Sequence, residues 1–411
     1  MPETESLGRG VQPVEAGEGD GRQRPKYELA DVVRRFGASY LARHPASGQQ
    51  RKVLRAIEAC RTSVLGGHVD GCDTCGHTRI SYNSCRNRHC PKCQGRAREA
   101  WVGARLEEVL PIEYFHVVFT LPHALNELCR YNQRVVLNLL FRAASETLLA
   151  FGRGRFGGEL GVTAALHTWG QTLIEHHHLH CIVTGGALSA DGQRWVASRP
   201  GYLFPVLALS AMYRGKYLAG LERAYRRGEL RGEEAIEALG NAEAFGRYLR
   251  ALAKEKFVVY AKRPFAGPEE VIKYIGRYTH RVAITNHRIV GIDEETVSFS
   301  YKDYREGGRR KVMRLSGEEF LGRYLRHVLP KGFQRIRHYG LLGSGRRAKL
   351  ARCREVLGVA GRQAAREAEQ VEAGESADEA ERCPECGQGR MVRLEELPRN
   401  CGPPWQKRRA A

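Results

Sequence analysis

The chain has 411 residues, of which 42% are hydrophobic, and this is enough to bury a sizeable core in two or three domains. Its formal net charge of +20 favours a polyanionic partner, most simply nucleic acid. We expect no membrane span, because no run of about 18 apolar residues occurs. We expect no secretion either, because the N-terminus lacks the apolar core of a signal peptide.

The N-terminal region divides into a polar segment and a helical one. Residues 1–25 are rich in Gly, Glu and Pro and are predicted to be disordered. From Lys26 to Cys60 the apolar residues recur at helical spacing, which predicts two helices. The chain contains twelve cysteines. Without an export signal, cysteines at this density favour metal sites over disulfides.

Two Cys-x-x-Cys knuckles, Cys72–Cys75 and Cys90–Cys93, are separated by fourteen residues. This spacing predicts a four-cysteine zinc site in which each knuckle supplies two thiolates. Four more potential ligands occur in the same segment and either complete a second zinc site or are ordinary core and surface residues: Cys60, His68, Cys85 and His89. Arginines and a lysine surround the knuckles, as in a module that grips nucleic acid phosphates, although a purely structural role is also possible.

The middle of the chain reads as strands separated by helices. Strands are predicted at 114–122 and 162–167, with one long or two shorter helices at 123–150. Hairpins and helices join the strands without a regular strand–helix–strand alternation, so we predict an antiparallel sheet flanked by helices, in the α+β class.

A histidine-rich strand follows, from His176 to Val183. Because side chains on a strand alternate, His176, His178 and His180 share one face, while Leu179 and Cys181 point into apolar packing. Imidazoles two residues apart on one face can bind one metal ion. The triplet alone is equally consistent with a histidine-rich surface strand.

Downstream, Pro268-Glu269-Glu270 is typical of the first turn of a helix. On that helix Tyr274 and Tyr278 are one turn apart, so both hydroxyls project from one face. Two such tyrosines usually pack in a core. Here, however, they alternate with four basic residues that are poor choices for a buried stripe: Lys273, Arg277, His280 and Arg281.

The C-terminal third supplies further basic and cysteine-containing segments. Strands at 297–301 and 311–315 predict a hairpin whose Arg309 and Arg310 either contact a phosphate backbone or form a solvated charged turn. Residues 362–381 are low in complexity. Cys383 and Cys386 form half of a zinc ribbon, but only Cys401 follows them, so we do not expect a metal site there.

Taken together, these motifs resemble a known family. The His178-Leu179-His180 strand with a downstream YxxxY helix is similar to the HUH endonucleases, which nick single-stranded DNA. Five sequence strings, taken in order, are similar to those of the rolling-circle insertion-sequence transposases with an N-terminal zinc domain, the IS91 family. They run from Tyr82 to Cys93, His116 to Pro122, His178 to Gly186, Tyr274 to Arg281 and Arg337 to Leu342. The family often has proline before the histidine motif, where this chain has His177.

The resemblance implies a mechanism and a division of the chain. His178 and His180 would hold Mg²⁺ or Mn²⁺ with a third ligand, for which His176 is favoured by its face while His167, Gln171 and Glu175 stay open. Tyr278 or Tyr274 would attack the phosphate, giving a 5′-phosphotyrosine. The domains expected are a disordered N-terminus (1–25), a zinc-binding DNA-recognition domain (26–105), an HUH nuclease domain (106–345) and a basic C-terminal tail with a partial zinc ribbon (346–411).

The resemblance also implies the partners: single-stranded DNA and transposon-end DNA, with Lys273, Arg277, Arg281, Arg309 and Arg310 as contacts. We expect a cytoplasmic protein that associates with the nucleoid through DNA. Two alternatives stay open, a plasmid rolling-circle replication initiator of the same superfamily and a non-catalytic zinc-dependent DNA-binding regulator.

Overall fold

The fold was determined from a computed structural model, which describes residues 25–94, 101–103, 109–262, 276, 282–343, 345–359 and 382–400. The helices are α1 (Leu29–Arg43), α2 (Gly48–Ala59), α3 (Asn126–Phe156), α4 (Val206–Arg226), α5 (Ala242–Lys254), α6 (Gly317–Arg326) and α7 (Arg347–Val356). The strands are β1 (Gly67–Cys72), β2 (Thr78–Tyr82), β3 (Tyr114–Thr120), β4 (Gly158–Glu159), β5 (Gly161–Trp169), β6 (Glu175–Thr184), β7 (Gly186–Ser189), β8 (Trp195–Ala197), β9 (Val259–Lys262), β10 (Ile289–Ile292), β11 (Thr296–Asp303), β12 (Arg309–Ser316), β13 (Ile336–Gly340) and β14 (Met391–Leu397).

A five-stranded sheet in the order β13-β5-β6-β3-β9 organises the largest part of the chain. Every neighbouring pair in it is antiparallel. The predicted antiparallel sheet and the α+β class are therefore confirmed. Helical and strand segments were also predicted correctly for α1, α2, α3 and the β11–β12 hairpin.

The two faces of this sheet differ in chemistry because its strands alternate in polarity. One face packs against α3 and α4 and forms the main core, in which the ring of Phe119 meets that of Tyr213 edge-on at 5.0 Å. Leu166 and Leu179 belong to the same core and are fully buried. Each such side chain contributes roughly 1.5–3 kcal/mol by leaving water. The opposite face carries His116, His167, His178 and His180.

Helix α3 fixes the core side of the sheet. The stretch His123–Phe156, which includes it, is long and apolar enough to cross a membrane. Its apolar residues are instead buried in the main core, as in the core helix of a globular protein, for example Leu128, Val136 and Leu140. The helix is kinked at Asn132, whose side-chain amide exchanges two hydrogen bonds with the backbone of Arg231, at 2.8 and 2.7 Å.

A second core joins the N-terminal helices to residues 283–328. Helices α1 and α2 pack with α6 and the β10-β11-β12 sheet. Gly317 allows this close approach, because a Cβ there would lie 2.2 Å from the ring of Phe36. The Leu29 amide donates to Asn286 Oδ1 at 3.1 Å. The core thus extends across the boundary predicted at residue 105, and the domain division itself stays a prediction.

The C-terminal segments pack on earlier parts of the chain. Leu350 and Cys353 of α7 are buried in a small cluster with Leu110 and Leu188. Strand β14 adds to β1, giving a three-stranded sheet in the order β14-β1-β2. The segments predicted to be disordered or low in complexity, 1–25 and 362–381, lie outside the described residues except for residue 25.

Candidate metal centres and nucleic-acid face

Strand β6 presents its histidines as its alternation predicts. His177, Leu179 and Cys181 are buried on the core face, with His177 only 2% exposed. His178 and His180 lie half-buried on the opposite, open face. The faces on which these side chains lie therefore match the alternation predicted from the sequence.

Three imidazoles meet on this open face: His167, His178 and His180. Their candidate ligand nitrogens all lie within 4.8 Å of one another. His167 belongs to β5, where it stands directly opposite His178, while Ala165 stands opposite His180. The Nε2 atoms of His178 and His180 are 3.1 Å apart. Adjacent ligands of an octahedral ion bound at about 2.1 Å are separated by about 3 Å, so the donor set fits a single divalent ion.

Two neighbouring groups orient these rings. His178 Nδ1 is 2.8 Å from the carbonyl oxygen of His176, to which it can donate, leaving Nε2 as the ligand. His180 Nδ1 is 2.8 Å from His116 Nε2. Burial, with a smaller contribution from Lys262, lowers the pKa of His116 to about 4, so His116 is neutral at pH 7 and its Nε2 can accept a hydrogen bond from His180 Nδ1. Such partners fix the tautomer of a metal-binding histidine.

The other candidates for third ligand lie elsewhere. The His176 ring is outside the group of three and instead contacts the rings of His123 and His178. Glu175 is on the core face and accepts two hydrogen bonds from Arg130, at 2.8 and 2.6 Å. Gln171 points toward the backbone of Lys302. The structure therefore brings His167 to the pair, where the sequence pattern favoured His176.

Tyr274 and Tyr278 lie outside the described residues, as do Lys273, Arg277, His280 and Arg281. Arg309 and Arg310 are described and are exposed at the start of β12, as expected for the tip of a hairpin. They belong to the β10-β11-β12 sheet and not to the five-stranded sheet that carries the histidine face.

Sequence reasoning missed two side chains on the open face, Tyr260 and Lys262 of β9. Their register partners on β3 are Val118 and His116, and Val118 also pairs with His180, so Tyr260 is in line with His180 two strands away. The Tyr260 side chain is 54% exposed. An aromatic residue at an exposed position on a sheet edge was the available signal.

One cysteine cluster lies at the end of α2 and comprises Cys60, Cys85, Cys90 and Cys93. The Cys93 sulfur is 3.5 Å from the sulfurs of both Cys60 and Cys85. Thiolates around a tetrahedral zinc ion at about 2.3 Å are about 3.8 Å apart, so these four sulfurs fit zinc. Cys60 and Cys90 are also buried in the second core, so this centre supports the packing of α1 and α2.

The expectation that the two knuckles share one tetrahedron is wrong. Cys72 and Cys75 lie beside Cys383 and Cys386 instead, because β14 pairs with β1. The spacing of fourteen residues between the two knuckles is therefore not a sign of a common site. Cys60 and Cys85, which were left over in the sequence pattern, are the residues that complete the first cluster.

The two histidines predicted as possible zinc ligands belong to neither cysteine cluster. His68 Nε2 is 3.4 Å from Asp70 Oδ2, and Arg79 contacts the same carboxylate oxygen at 3.7 Å. His89 is buried, and burial lowers its pKa to about 3. Its backbone carbonyl accepts a 2.7 Å hydrogen bond from the Tyr324 hydroxyl. The contacts of both histidines are therefore structural.

A basic cleft of about 1130 Å³ runs between the first cysteine cluster and the edge strand β13. Its basic lining residues are Arg61, Arg86, Arg88, Lys92, Arg335 and Arg337. The cleft is close to the histidines, because Ile336, which lines it, pairs with Ala165, and Ala165 pairs with His180. Two strand spacings of about 4.8 Å separate β13 from β6.

The cations of the cleft differ in availability. Arg88 is held by the carbonyl oxygens of Pro330 and Phe333. The guanidinium of Arg337 lies 4.0 Å from the centre of the Phe141 ring. Arg61 and Arg86 are exposed, and each has a positive φ, of 58° and 51°. Arg61 and Arg86 are therefore the exposed cations among the described residues that line the cleft.

Comparison with known proteins identifies the family. Residues 32–121 match the model described as "Transposase zinc-binding domain", and residues 161–349 match the model described as "Putative transposase". A relative from Sinorhizobium fredii, "Putative transposase y4qJ", is 49% identical over 92% of this chain and 97% of its own length. The "Transposase for insertion sequence element IS801" of Pseudomonas savastanoi pv. phaseolicola is 28% identical over 70% of this chain and 68% of its own length.

No solved structure matches the chain. The two family models nevertheless cover both regions that carry the sites described above, the cysteine cluster around Cys60 and the β5–β6 histidines. The expected zinc-binding domain and the expected transposase are thus confirmed together. The chain belongs to the IS91 family of insertion-sequence transposases, DNA-binding and DNA-processing proteins with a structural zinc-binding domain.

Proposed function

We propose that this transposase nicks and rejoins single-stranded DNA at transposon ends through a 5′-phosphotyrosine intermediate, in rolling-circle-type transposition. The observation that carries the proposal is the convergence of His167, His178 and His180 on the open face of the central sheet. A surface strand with incidental histidines would not require a buried imidazole from the neighbouring strand to join them, and His167 is 3% exposed.

These three histidines would hold a divalent ion, Mg²⁺ or Mn²⁺. When bound, the ion would polarise the scissile phosphate and offset charge that develops on its oxygens. His116 and the carbonyl of His176 keep the coordinating rings in their binding tautomers. Nitrogen ligands favour Mn²⁺ over Mg²⁺ in affinity.

Tyr278 or Tyr274 supplies the nucleophile in this proposal. A bond forms between the phenolic oxygen and phosphorus while the bond from phosphorus to the 3′-oxygen breaks, and the 3′-oxygen leaves as a hydroxyl once protonated. The phosphodiester energy is retained in the phosphotyrosine. A 3′-hydroxyl can therefore attack the phosphotyrosine and restore the strand, and a second tyrosine permits a second cleavage before the first end is released.

The DNA strand is proposed to run through the basic cleft toward the histidines. Arg61 and Arg86 contact its phosphates, and Tyr260 with Lys262 forms a stacking and phosphate-binding position on the far side of the histidine group. Lys273, Arg277, Arg281, Arg309 and Arg310 are proposed as further DNA contacts. Through this binding the protein would associate with the nucleoid in the cytoplasm.

A nicking assay tests the proposal directly. Purified protein is incubated with labelled single-stranded oligonucleotides that span the terminal sequences of the encoding element, with Mn²⁺ or with EDTA. We expect a cleaved strand and a covalent protein–DNA adduct with Mn²⁺ only. Binding without cleavage or adduct under all metal conditions would instead favour the zinc-dependent DNA-binding regulator. Equal cleavage of a plasmid origin and no preference for element ends would favour the replication initiator.

A further inference from the structure

The second cysteine cluster joins residues from opposite ends of the chain. Cys72 Sγ is 3.8 Å from Cys386 Sγ, and Cys75 Sγ is 3.7 Å from Cys383 Sγ. These separations match the edge of a zinc tetrathiolate, about 3.8 Å, and far exceed the roughly 2.05 Å of a disulfide. The four sulfurs are therefore placed as ligands of one ion rather than as two bonded pairs.

The two contributing knuckles have the same local construction. Each has the sequence Cys-x-x-Cys-Gly, and the glycines, Gly76 and Gly387, both have the left-handed conformation, with φ of 71° and 68°. Each of these glycines also donates its amide to the carbonyl of the first cysteine, at 3.2 and 2.9 Å. Only glycine adopts this conformation without strain, so both turns are set by sequence.

Backbone amides also point at the sulfurs. The amides of Thr74 and Cys75 lie 3.4 Å from Cys72 Sγ, and that of Gly389 lies 3.4 Å from Cys386 Sγ. Donors in this position stabilise thiolate over thiol, because they offset its negative charge. Metal-bound cysteine is a thiolate, so the surroundings suit the bound state.

The knuckles also fit each other closely. A Cβ at Gly389 would lie 2.3 Å from Cys72 Sγ, so any larger residue would separate the two halves. Asp73 and Arg390 exchange two hydrogen bonds, one from the Arg390 amide to the side-chain Oδ1 of Asp73 at 2.9 Å and one from the Asp73 amide to the Arg390 carbonyl at 3.1 Å. The pairing of β14 with β1 continues directly from this contact.

We propose that Cys72, Cys75, Cys383 and Cys386 form a second structural zinc site, which fastens the C-terminal segment 382–400 onto the zinc-binding domain. The matched zinc-binding model ends at residue 121, so this site reaches beyond it. Four thiolates in a closed tetrahedron select zinc among the common divalent ions. The site thus makes the C-terminus a part of the N-terminal module.

Zinc at this site would control how the C-terminal strand docks. Strand β14 has mostly exposed side chains, with the apolar residues Met391 and Leu397 buried at its ends. Such a short, exposed strand buries little apolar surface, so its attachment depends on the metal. Removal of zinc from this site is expected to release β14 and leave β1 as an exposed sheet edge.

The zinc content of the full-length protein tests the proposal. Counts are made in the His180→Ala background, so that zinc on the imidazole group does not contribute. We expect two zinc ions per chain by elemental analysis, falling to one when Cys383→Ala and Cys386→Ala are combined. The control Cys353→Ala removes a buried cysteine outside both clusters and should retain two. A count of one in the His180→Ala protein itself would overturn the proposal.

Thiol protection gives an independent readout that does not require a folded cysteine variant. Cys75 is exposed, so as a free thiol it would be accessible to iodoacetamide in the native protein. Zinc coordination should protect it, and mass spectrometry should show its alkylation only after chelation. Full alkylation of Cys75 in the untreated, zinc-replete protein would contradict coordination at this position.

Discussion

His167 and His178 lie directly opposite each other across the β5–β6 pair, and this register brings together an imidazole group that neither strand could form alone. The strand register distinguishes His167 from His176 as a member of this group, whereas spacing along the sequence does not. His176 shares the β6 face but contacts His123, whereas His167 is on another strand and belongs to the group.

The first prediction concerns the third metal ligand. His167→Ala should lower the Mn²⁺-dependent nicking rate by about 100-fold or more, since even residues that only support metal ligands are worth about 10–100-fold. The matched variant His176→Ala should lower it by less than about 10-fold, because the His176 ring lies outside the group of three and only packs beside the His178 ring, while the carbonyl that accepts from His178 Nδ1 is retained. Rates are measured with single-stranded oligonucleotides across a Mn²⁺ titration.

The comparison of these two variants decides the assignment. A ligand variant should also need more Mn²⁺ for half-maximal rate, whereas a variant that only misfolds would not shift the titration of its remaining active fraction. If His176→Ala is inactive and His167→Ala is normal, the ligand favoured by strand alternation is correct and the register argument fails.

The second prediction concerns the tyrosines. If both act, Tyr274→Phe and Tyr278→Phe should each still form one covalent adduct with DNA, and only the double variant should form none. If Tyr278 alone makes the first cleavage, Tyr278→Phe will be inactive and Tyr274→Phe nearly normal. Mass spectrometry of the trapped peptide identifies the attached residue.

Tyr260→Phe is the control for this experiment. Tyr260 is an exposed tyrosine on the histidine face, and its phenol is the alternative nucleophile within the described residues on β9. Phenylalanine keeps the ring for stacking and removes the hydroxyl. The Tyr260→Phe protein should therefore form adducts normally, and an adduct mapped to Tyr260 would refute the role of the YxxxY pair.

The sequence predicted local structure well because local structure depends on neighbouring residues. The alternation in β6 identified the face of His178 and His180, and helical spacing located α1 and α2. The sequence did not indicate His167. A hairpin closing over residues 170–174 pairs Trp169 with Glu175 and, continued regularly, would place His167 opposite His177, but the register shifts between His167 and Trp169 and brings His167 opposite His178.

The sequence did not predict which distant segments meet. Each Cys-x-x-Cys knuckle was recognisable, but its partner depends on strand pairing between β1 and β14, which are separated by more than 300 residues. Nothing in the spacing of Cys72 and Cys90 distinguishes a shared site from two separate ones. The joining of α1 to α6 is a similar long-range contact, marked in sequence only by Gly317.

The third prediction concerns the basic cleft. Arg61→Ala combined with Arg86→Ala should weaken binding of single-stranded DNA and reduce the salt dependence of affinity by about 0.7 in the log–log slope per lost phosphate contact. The measurement is fluorescence anisotropy with a labelled oligonucleotide at several salt concentrations. The control combines Arg250→Ala with Lys254→Ala and removes the same two charges from the exposed face of α5, on the helical side of the sheet. Equal slopes for the double variant and the control would exclude the cleft as the DNA path.

The last prediction concerns stability at acidic pH. His327 is fully buried, donates from Nε2 to the Leu173 carbonyl at 3.0 Å, and its pKa is lowered by burial to about 4. In the unfolded chain its pKa is near 6.5, so below that value the unfolded state binds a proton that the folded state does not. Its contribution to stability is therefore complete above about pH 6.5 and is lost as the pH falls toward 4, by about 1 kcal/mol between pH 7.5 and 5.5. Urea unfolding of the zinc-replete protein at both pH values should show a smaller difference for His327→Gln than for the parent, and an unchanged difference would show that His327 does not titrate on unfolding.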